Sequence, residues 1–272
     1  MTATNAADAR DAADAADAAR IAADAGRLLL EIRSGLEVPG TDPATVRREG
    51  DQRAHDLIVR ALARSHPEDP VVSEEGGRPV PAAGPGRTWI VDPLDGTEEF
   101  GERGRTDWAV HVALVVDGRP VAGAVALPAH RLVLASHPAA VLARRDDGPV
   151  RLLVSRSRPP ALIAPLAARL GARIVPMGSA GAKAMAVVRA EGDAYVHAGG
   201  QYEWDSAAPV AVAEAAGLHA SRLDGSPLRY GSAGADLPDL VICRPEMADT
   251  VLAALADAAV SVPPSGPGPA RG

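Results

Sequence analysis

The most informative part of the sequence is a run of nine residues, Trp89-Ile90-Val91-Asp92-Pro93-Leu94-Asp95-Gly96-Thr97. An apolar segment ends there in two aspartates, and Gly-Thr follows directly. A strand that ends this way brings two carboxylates and a backbone carbonyl to one place, and these are oxygen ligands of the kind that Mg²⁺ takes. Gly96 allows a ligand to approach the main chain, and the Thr97 hydroxyl can donate to a phosphate or to an attacking water. The run therefore predicts a magnesium and phosphate site.

Composition sets the broad class. The chain has 272 residues, of which 47% are hydrophobic and 23% charged, as in an ordinary soluble globule. A net charge of −7 disfavours binding to a nucleic-acid polymer or an anionic membrane and leaves room for a small anionic substrate held through metal. The single cysteine, Cys243, cannot form an internal disulfide. Because no apolar stretch reaches about 20 residues and no signal peptide is visible, we expect a cytoplasmic protein.

Hydrophobic periodicity and turn residues predict the elements. Helices are expected over residues 6–33 and 51–64, with a Pro/Gly loop at 39–43 between them. Strands are expected at 71–73, up to Asp92, in a hairpin over 108–127 that turns at Asp117-Gly118, and at 131–136. Beyond residue 150, strands at 151–155, 172–177, 194–198 and 240–244 alternate with helices at 160–170, 179–190, 206–216 and 246–258.

This order predicts an α/β protein with an α+β first half and an α/β second half. We expect one domain over residues 1–150, which carries Asp51, Glu74 and the Asp92–Thr97 run. A second domain over residues 151–260 carries Lys183 and Asp205. The Pro/Gly/Ser-rich segment 261–272 is predicted to be a disordered tail.

Acidic residues stand at the ends of three predicted elements. Glu74 follows a short strand, Asp92 and Asp95 end a second strand, and Asp205 begins a helix. Each has an ordinary explanation alone, as a solvated acid, a turn or a helix cap. Their convergence in one crevice would supply the bridging carboxylates that two-metal phosphate-ester hydrolysis requires.

Three short strings resemble the signatures of the lithium-sensitive inositol monophosphatase superfamily. They are Ser-Glu-Glu at 73–75, the run Trp89–Thr97, and Trp-Asp-Ser-Ala-Ala at 204–208. Their order and separation also fit, and the resemblance extends over roughly residues 20–258. It implies a layered αβαβα sandwich with the active site between its two halves, Mg²⁺ as cofactor, a small phosphate ester as substrate, and inhibition by lithium.

Other residues resemble the CysQ branch of that superfamily, the 3'(2'),5'-bisphosphate nucleotidases, and most of all its actinobacterial members. Glu99-Phe100 and Glu203-Trp204-Asp205 match the nucleotidase pattern, whereas Ala198 stands where the inositol branch has a sugar-binding glutamate. Lys183 is the only lysine of the chain and lies in a segment, Gly178–Lys183, that resembles the wall of the substrate pocket. The resemblance implies removal of the 3'-phosphate from adenosine 3',5'-bisphosphate, and from 3'-phosphoadenylyl sulfate as a second substrate, in sulfate assimilation.

The resemblance also implies the roles of individual residues. Glu74, Asp92 and the Leu94 carbonyl would bind the water-activating metal, and Asp92, Asp95 and Asp205 the metal on the leaving-group side. Gly96 and Thr97 would hold the scissile phosphate, while Asp51, hydrogen-bonded to Thr97, would help Glu74 to deprotonate the attacking water. The substrate would contact Leu94, Asp95, Gly96, Thr97, Gly178, Ser179, Lys183 and Asp205.

Several alternatives stay open at this point. The family usually has Val-Thr-x-x-Asp where this chain has Asp51, but here Arg48 stands three residues before Asp51. Asp42 is therefore a second candidate for the role of Asp51, and a third metal near Asp51 is undecided. An inositol-1-phosphate or fructose-1,6-bisphosphate phosphatase would use nearly the same site residues. A catalytically idle binding protein is the remaining alternative, and a homodimer is compatible with the resemblance.

Overall fold

The computed structural model describes residues 3–76 and 86–261. The helices in these ranges are α1 (Ala3–Arg33), α2 (Pro43–Ser65), α3 (Thr97–Gly101), α4 (Ile163–Leu170), α5 (Ala180–Val188), α6 (Ala207–Ala215) and α7 (Ala248–Ser261). The strands are β1 (Val71–Ser73), β2 (Arg87–Asp95), β3 (Ala109–Val116), β4 (Arg119–Leu127), β5 (Leu132–Ala135), β6 (Arg151–Ser155), β7 (Arg173–Met177), β8 (Ala194–Tyr202), β9 (His219–Ser221) and β10 (Asp236–Cys243).

The strands form two five-stranded sheets. The first has the order β1-β2-β3-β4-β5, with β1 parallel to β2 and every other pair antiparallel. The second has the order β7-β6-β8-β10-β9, in which β6 runs parallel to both β7 and β8, while β10 is antiparallel to its two neighbours. The second sheet is therefore mixed rather than wholly parallel.

Three layers of helices enclose the two sheets. Helices α1 and α2 cover the outer face of the first sheet, α5 and α6 lie between the sheets, and α4 packs with α7 on the outer face of the second. Three apolar cores join the layers: one under α1 and α2 includes Trp89, one around α5 and α6 contacts both sheets and includes Met185, and one under α4 and α7 includes Val251. The result is the layered αβαβα sandwich that the sequence predicts.

Strand alternation decides which side chains reach the middle layer. In β3, Val110, Val112 and Leu114 pack under α1 and α2, whereas Ala109 and Ala113 face the central core. Because successive side chains point to opposite faces of a strand, His111 faces the central layer. The same alternation in β2 places Ile90 and Asp92 on that side and Trp89 and Val91 on the other.

Most predicted elements are confirmed, with some differences: α3 was not predicted, and β10 begins at Asp236 rather than at residue 240. Helix α2 begins at Pro43 rather than at residue 51, because Asp42 caps it: its carboxylate accepts the backbone N–H groups of Ala44 and Thr45 at 3.0 and 3.2 Å. The prediction of a loop through Pro43 and of a helix start at residue 51 was wrong. Strand β8 extends beyond residue 198 to Tyr202, and the short β9 was not predicted.

Two further predictions concern the organisation of the chain. The strands of the first sheet end by Ala135 and those of the second begin at Arg151, but α5 and α6 pack against strands of both sheets, so the division at residue 150 stays a prediction. The predicted disordered tail lies outside the described residues apart from Ser261. Among the helices of residues 3–76 and 86–261, none combines the length and apolar character needed to span a bilayer.

Candidate active site

One cleft of about 400 Å³ opens where strand ends from both sheets meet. The parallel strands β6, β7 and β8 all present their carboxyl ends to it, which is the edge where α/β sheets bind ligands. From the first sheet, β2 contributes its final turn and β1 leads into Glu74. The cleft brings together all but one of the sequence-predicted site residues, namely Glu74, Asp92, Leu94, Asp95, Gly96, Thr97, Gly178, Ser179, Lys183 and Asp205.

Asp92 is the most deeply buried acid of the cleft. Its side chain is fully buried, and Oδ1 accepts the Leu94 backbone N–H at 3.0 Å, while Oδ2 has no hydrogen-bond partner among the described residues. Burial, together with the charges of Glu74, Asp95 and Asp205, raises the pKa of Asp92 well above its ordinary value. A buried carboxylate oxygen without a partner costs free energy, so this position suits a bound cation.

Asp95 lies beside Asp92 but has a different environment. Its Oδ2 accepts hydrogen bonds from the Ser179 hydroxyl and from the Gly181 backbone N–H (2.8 Å), and it lies 3.2 Å from His111 Nε2. Burial alone would raise the pKa of Asp95, but the neighbouring His111, Lys183 and Ser179 lower it to about 2. Asp95 is therefore held as a carboxylate even before a metal binds.

His111 reaches Asp95 through a space that a glycine leaves open. The His111 ring is fully buried, and its Nδ1 lies 3.0 Å from the Trp204 carbonyl. A Cβ at position 181 would lie 2.0 Å from His111 Nε2, so only glycine fits there. Burial would lower the pKa of His111, but the Asp95 charge raises it overall.

Asp205 and Glu74 complete the acidic cluster. One carboxylate oxygen from each of Asp92, Asp95 and Asp205 lies within 4.8 Å of the other two, a spacing compatible with a shared cation. Asp205 also accepts the Tyr202 backbone N–H at 2.7 Å. Burial and the charge of Asp95 raise the pKa of Asp205 to about 7, and partial burial with the charges of Asp95 and Glu75 does the same for Glu74.

Gly96 and Thr97 form the corner between β2 and α3. Gly96 has a φ of 85°, a left-handed conformation that glycine adopts without strain. The Thr97 hydroxyl lies 3.1 Å from the Leu94 carbonyl and 3.5 Å from Asp51 Oδ1. Burial and the charge of Glu75 raise the pKa of Asp51 to about 7.

The structure distinguishes Asp51 from Asp42, the two candidates for the acidic residue beside Thr97. Asp51 is half-buried beside Thr97, whereas Asp42 is exposed at the start of α2, about two and a half helical turns away. Both oxygens of Asp42 are occupied by the capping hydrogen bonds. Asp42 is therefore a helix cap rather than a site residue.

Lys183 lies on α5 at the floor of the cleft and is only 4% exposed. Its ammonium donates to the carbonyls of Gly178 and Ser179, the latter at 2.9 Å, and lies 5.1 Å from the centre of the Tyr195 ring. Burial lowers the pKa of Lys183 to about 8, although Asp95 and Asp205 act in the opposite direction.

Comparison with known proteins agrees with this geometry. The family model described as "Inositol monophosphatase family" matches residues 10–146 and 150–260. The chain belongs to the inositol monophosphatase family. Among curated members, a "3'-phosphoadenosine 5'-phosphate phosphatase" of Mycobacterium bovis is 48% identical over 248 residues, which cover 86% of this chain and 90% of the relative.

More distant members of the family share the fold and part of the sequence. A "3'(2'),5'-bisphosphate nucleotidase CysQ" of Escherichia coli is 29% identical over 233 residues, covering 78% of this chain and 91% of the relative. The crystal structure of CysQ from Bacteroides thetaiotaomicron superposes with a TM-score of 0.68 at 28% identity, covering 86% of this chain and 97% of that one. The chain is therefore a family member over most of its length.

Sequence reasoning missed several residues around this family's cleft. The sequence analysis did not single out His111, although its position in the apolar run Val110–Val112 could have indicated a buried role. Arg158, His197 and Tyr202 line the cleft, and Arg156 pairs with Glu99 at 2.8 Å and with Glu102 at 2.7 Å beside it. No local pattern singles these residues out.

Proposed function

We propose that this chain is a Mg²⁺-dependent phosphatase that hydrolyses the 3'-phosphate of adenosine 3',5'-bisphosphate, with 3'-phosphoadenylyl sulfate as a second substrate. The observation that carries the proposal is the 48% identity, over 90% of its length, to a phosphatase named for that substrate. The acidic cleft supports it, because a phosphate ester approaches such a cluster only through bound cations. The proposal places the enzyme in sulfate assimilation in the cytoplasm.

The residues present fit divalent cations. Asp92, Asp95 and Asp205 can share one ion, and Glu74 with the Leu94 carbonyl can hold a second together with Asp92. Burial, reinforced by repulsion among these carboxylates, raises the pKa values of Asp92, Asp205 and Glu74, and bound cations would offset both effects. All these ligands are oxygens, which is the donor set that Mg²⁺ prefers.

The reaction that we propose is direct attack of water on phosphorus, with inversion and no covalent enzyme intermediate. When bound, the cations lower the pKa of the attacking water and neutralise the leaving oxygen. Glu74, helped by Asp51, would accept the proton of this water. The Thr97 hydroxyl, near Asp51, orients the water, and the backbone at Gly96 and Thr97 holds the phosphate.

Residues at the start of helix α5 interact with the acidic residues of the cleft. Ser179 and the Gly181 N–H hold Asp95 in one orientation, so the metal ligand does not need to reorganise when a cation binds. The buried ammonium of Lys183 adds a fixed positive charge close to Asp95 and Asp205. We assign Lys183 to substrate binding through the one N–H that its two carbonyl contacts leave unused.

The test is phosphate release with Mg²⁺ from adenosine 3',5'-bisphosphate, inositol-1-phosphate and fructose-1,6-bisphosphate, each with and without lithium. We expect kcat/KM for the nucleotide to exceed both others by at least about 100-fold, and lithium to inhibit. Comparable values would favour a broad sugar-phosphate phosphatase instead. If the protein binds no Mg²⁺ in a titration, the idle-protein alternative would be supported.

A further inference from the structure

The charges that line the cleft are unevenly distributed. Six carboxylates line it, namely Glu74, Asp92, Asp95, Glu98, Glu99 and Asp205. Among the described lining residues, the side chains that carry a permanent or nearly permanent positive charge are Lys183 and Arg158. A substrate with two phosphates can place one at the metal carboxylates, but the second must find a cation elsewhere or lie against acids.

Lys183 has little capacity left for a second phosphate. Lys183 is buried, and its ammonium donates to the Gly178 and Ser179 carbonyls. With two of three N–H groups engaged, it has one N–H left for the substrate, and its charge also faces Asp95 and Asp205, so it cannot hold the second phosphate by itself.

His197 is not a suitable cation either. It lines the cleft between the two positive charges, and its Nε2 lies 2.9 Å from the Gly199 carbonyl, so that nitrogen carries the proton. Burial, together with the charges of Lys183 and Arg158, lowers the pKa of His197 to about 4. At neutral pH the other ring nitrogen is an acceptor, which a phosphate dianion does not bind.

In contrast to Lys183 and His197, Arg158 offers an accessible positive charge at the cleft. Its side chain is exposed at the cleft. Within residues 9–76 and 86–258, the ranges whose side chains the structure describes, no group forms an ion pair or hydrogen bond with its guanidinium. Of the cleft acids, Asp92, Asp95 and Glu99 are buried, and Glu99 is already paired with Arg156. An unpaired guanidinium beside a phosphatase cleft is suited to phosphate, because its planar N–H groups match two phosphate oxygens.

The segment that carries Arg158 is fixed from both sides. The Ser155 hydroxyl accepts the Arg158 backbone N–H at 3.1 Å, and the Arg156 backbone N–H donates to the Met177 carbonyl at 3.0 Å. The Arg156 guanidinium ties the segment to α3 through Glu99 and Glu102. Because neighbouring Arg156 is used as a tether, only Arg158 of this pair is available to a ligand.

We propose that Arg158 binds the non-reacting phosphate of a bisphosphate substrate and so determines the preference for two phosphates over one. This inference rests on the proposed function and assigns its specificity to a residue outside the motifs of the metal site. In this assignment, Lys183 contributes one N–H and a nearby positive charge to substrate binding, and Arg158 makes the main contact with the phosphate that stays on the product.

The experiment compares adenosine 3',5'-bisphosphate with adenosine 3'-monophosphate, which lacks the second phosphate. Wild type, Arg158→Gln, Arg158→Lys and Arg173→Gln are assayed for kcat and KM with Mg²⁺. Arg173 is a matched control, since it is an exposed arginine at the start of β7, the end of the sheet away from the cleft. We expect Arg158→Gln to lower kcat/KM for the bisphosphate by about tenfold or more, mainly through KM.

The same variant should leave kcat/KM for the monophosphate within about twofold of wild type. Arg158→Lys should recover part of the loss in kcat/KM, because it restores the charge but not the planar guanidinium that binds two oxygens at once. Arg173→Gln should leave kcat/KM unchanged for both substrates. Equal losses on both substrates, no loss on either, or a wild type without preference for the bisphosphate would overturn the assignment of Arg158. Wild type inactive on both nucleotides would overturn the proposed function itself.

Discussion

Two fully buried aspartates in this molecule have opposite environments. Asp193 accepts the Arg151 backbone N–H at 2.7 Å and pairs with Arg151 and Arg145, each at 3.1 Å. Burial alone would raise its pKa, but these partners lower it below the ordinary value. Asp92 is equally buried, yet it faces three acids, and one of its oxygens has no described partner.

The difference teaches how to separate a structural acid from a functional one. Burial of a charge is tolerated when cations of the protein compensate it, as at Asp193. At Asp92 the chain does not supply that compensation, so the fold retains an unfavourable charge that an external cation can neutralise. Functional sites are where such local conflicts are expected.

The sharpest test of this contrast is Asp92→Asn. We expect turnover to fall by roughly 10³–10⁵-fold, the scale on which charge stabilisation acts in phosphoryl transfer. The melting temperature without metal should rise, because the substitution removes a repelled negative charge. Activity near wild type, or a large loss of stability without metal, would contradict the assignment of Asp92 as a metal ligand. Asp95→Asn should abolish turnover as well.

Asp193→Asn should give the opposite pattern. Removing this charge leaves Arg145 and Arg151 without their partner, and breaking a buried pair costs about 3 kcal/mol or more. We expect urea unfolding to show that loss, while kcat and KM of the folded protein stay close to wild type. A specific loss of turnover at unchanged stability would mean that the two aspartates do not differ in the proposed way.

The loss of stability with rising pH that Asp205 and Glu74 cause should disappear when Mg²⁺ is added. Asp205 and Glu74 have pKa values near 7 in the folded protein and near 4 when unfolded. Without metal, the folded state holds protons that the unfolded chain releases, so these groups lower stability as pH rises from about 4 through 7. Mg²⁺ binds the deprotonated forms, so its stabilisation should grow over pH 6–8, reaching about 2.7 kcal/mol at 100 times Kd. Melting curves at matched ionic strength would detect this.

Lys183→Ala should have a smaller effect that depends on the substrate. We expect kcat/KM for adenosine 3',5'-bisphosphate to fall about tenfold more than that for inositol-1-phosphate, because the nucleotide carries more negative charge into the cleft. The measurement is a parallel assay of both substrates. Equal losses on the two would assign Lys183 to the packing of α5 rather than to substrate binding.

The smallest effect is expected at Asp42. Its substitution by alanine removes an exposed helix cap and should cost about 1 kcal/mol of stability, with kcat/KM unchanged within about twofold. Asp51→Asn, nine residues along the same helix, should lower kcat strongly at little cost in stability. A strong catalytic loss at Asp42 would restore it as the site residue.

Local sequence patterns predicted much of this molecule. The apolar run to Asp92 and the Asp117-Gly118 turn identified β2 and the β3–β4 hairpin, because strand periodicity and tight turns depend on neighbouring residues. The start of α2 was missed although Asp42-Pro43 is a capping signal followed by proline at the first helical turn. That error came from interpreting the proline only as a helix breaker.

Contacts between distant segments were beyond local patterns. His111 meets the Trp204 carbonyl across 93 residues, and Arg156 crosses from the second sheet to α3. Resemblance to a family predicted that Glu74, Asp92 and Asp205 converge, since their spacing alone does not bring them together. Arg158 lacked both signals, because the feature that points to it is the lack of a partner for its guanidinium among the described residues.

Gly181 illustrates a different kind of dependence. Its φ lies outside the left-handed region, so its backbone would accept any residue, but the His111 ring occupies the place of a side chain. In a survey of all substitutions at each position, we expect position 181 to tolerate no residue other than glycine, although glycine bears no reactive group. Even a methyl group there would move His111 from Asp95. The lack of a side chain at position 181 thus controls the ionisation of Asp95, which we propose as a metal ligand, and redesign of this cleft should keep glycine there.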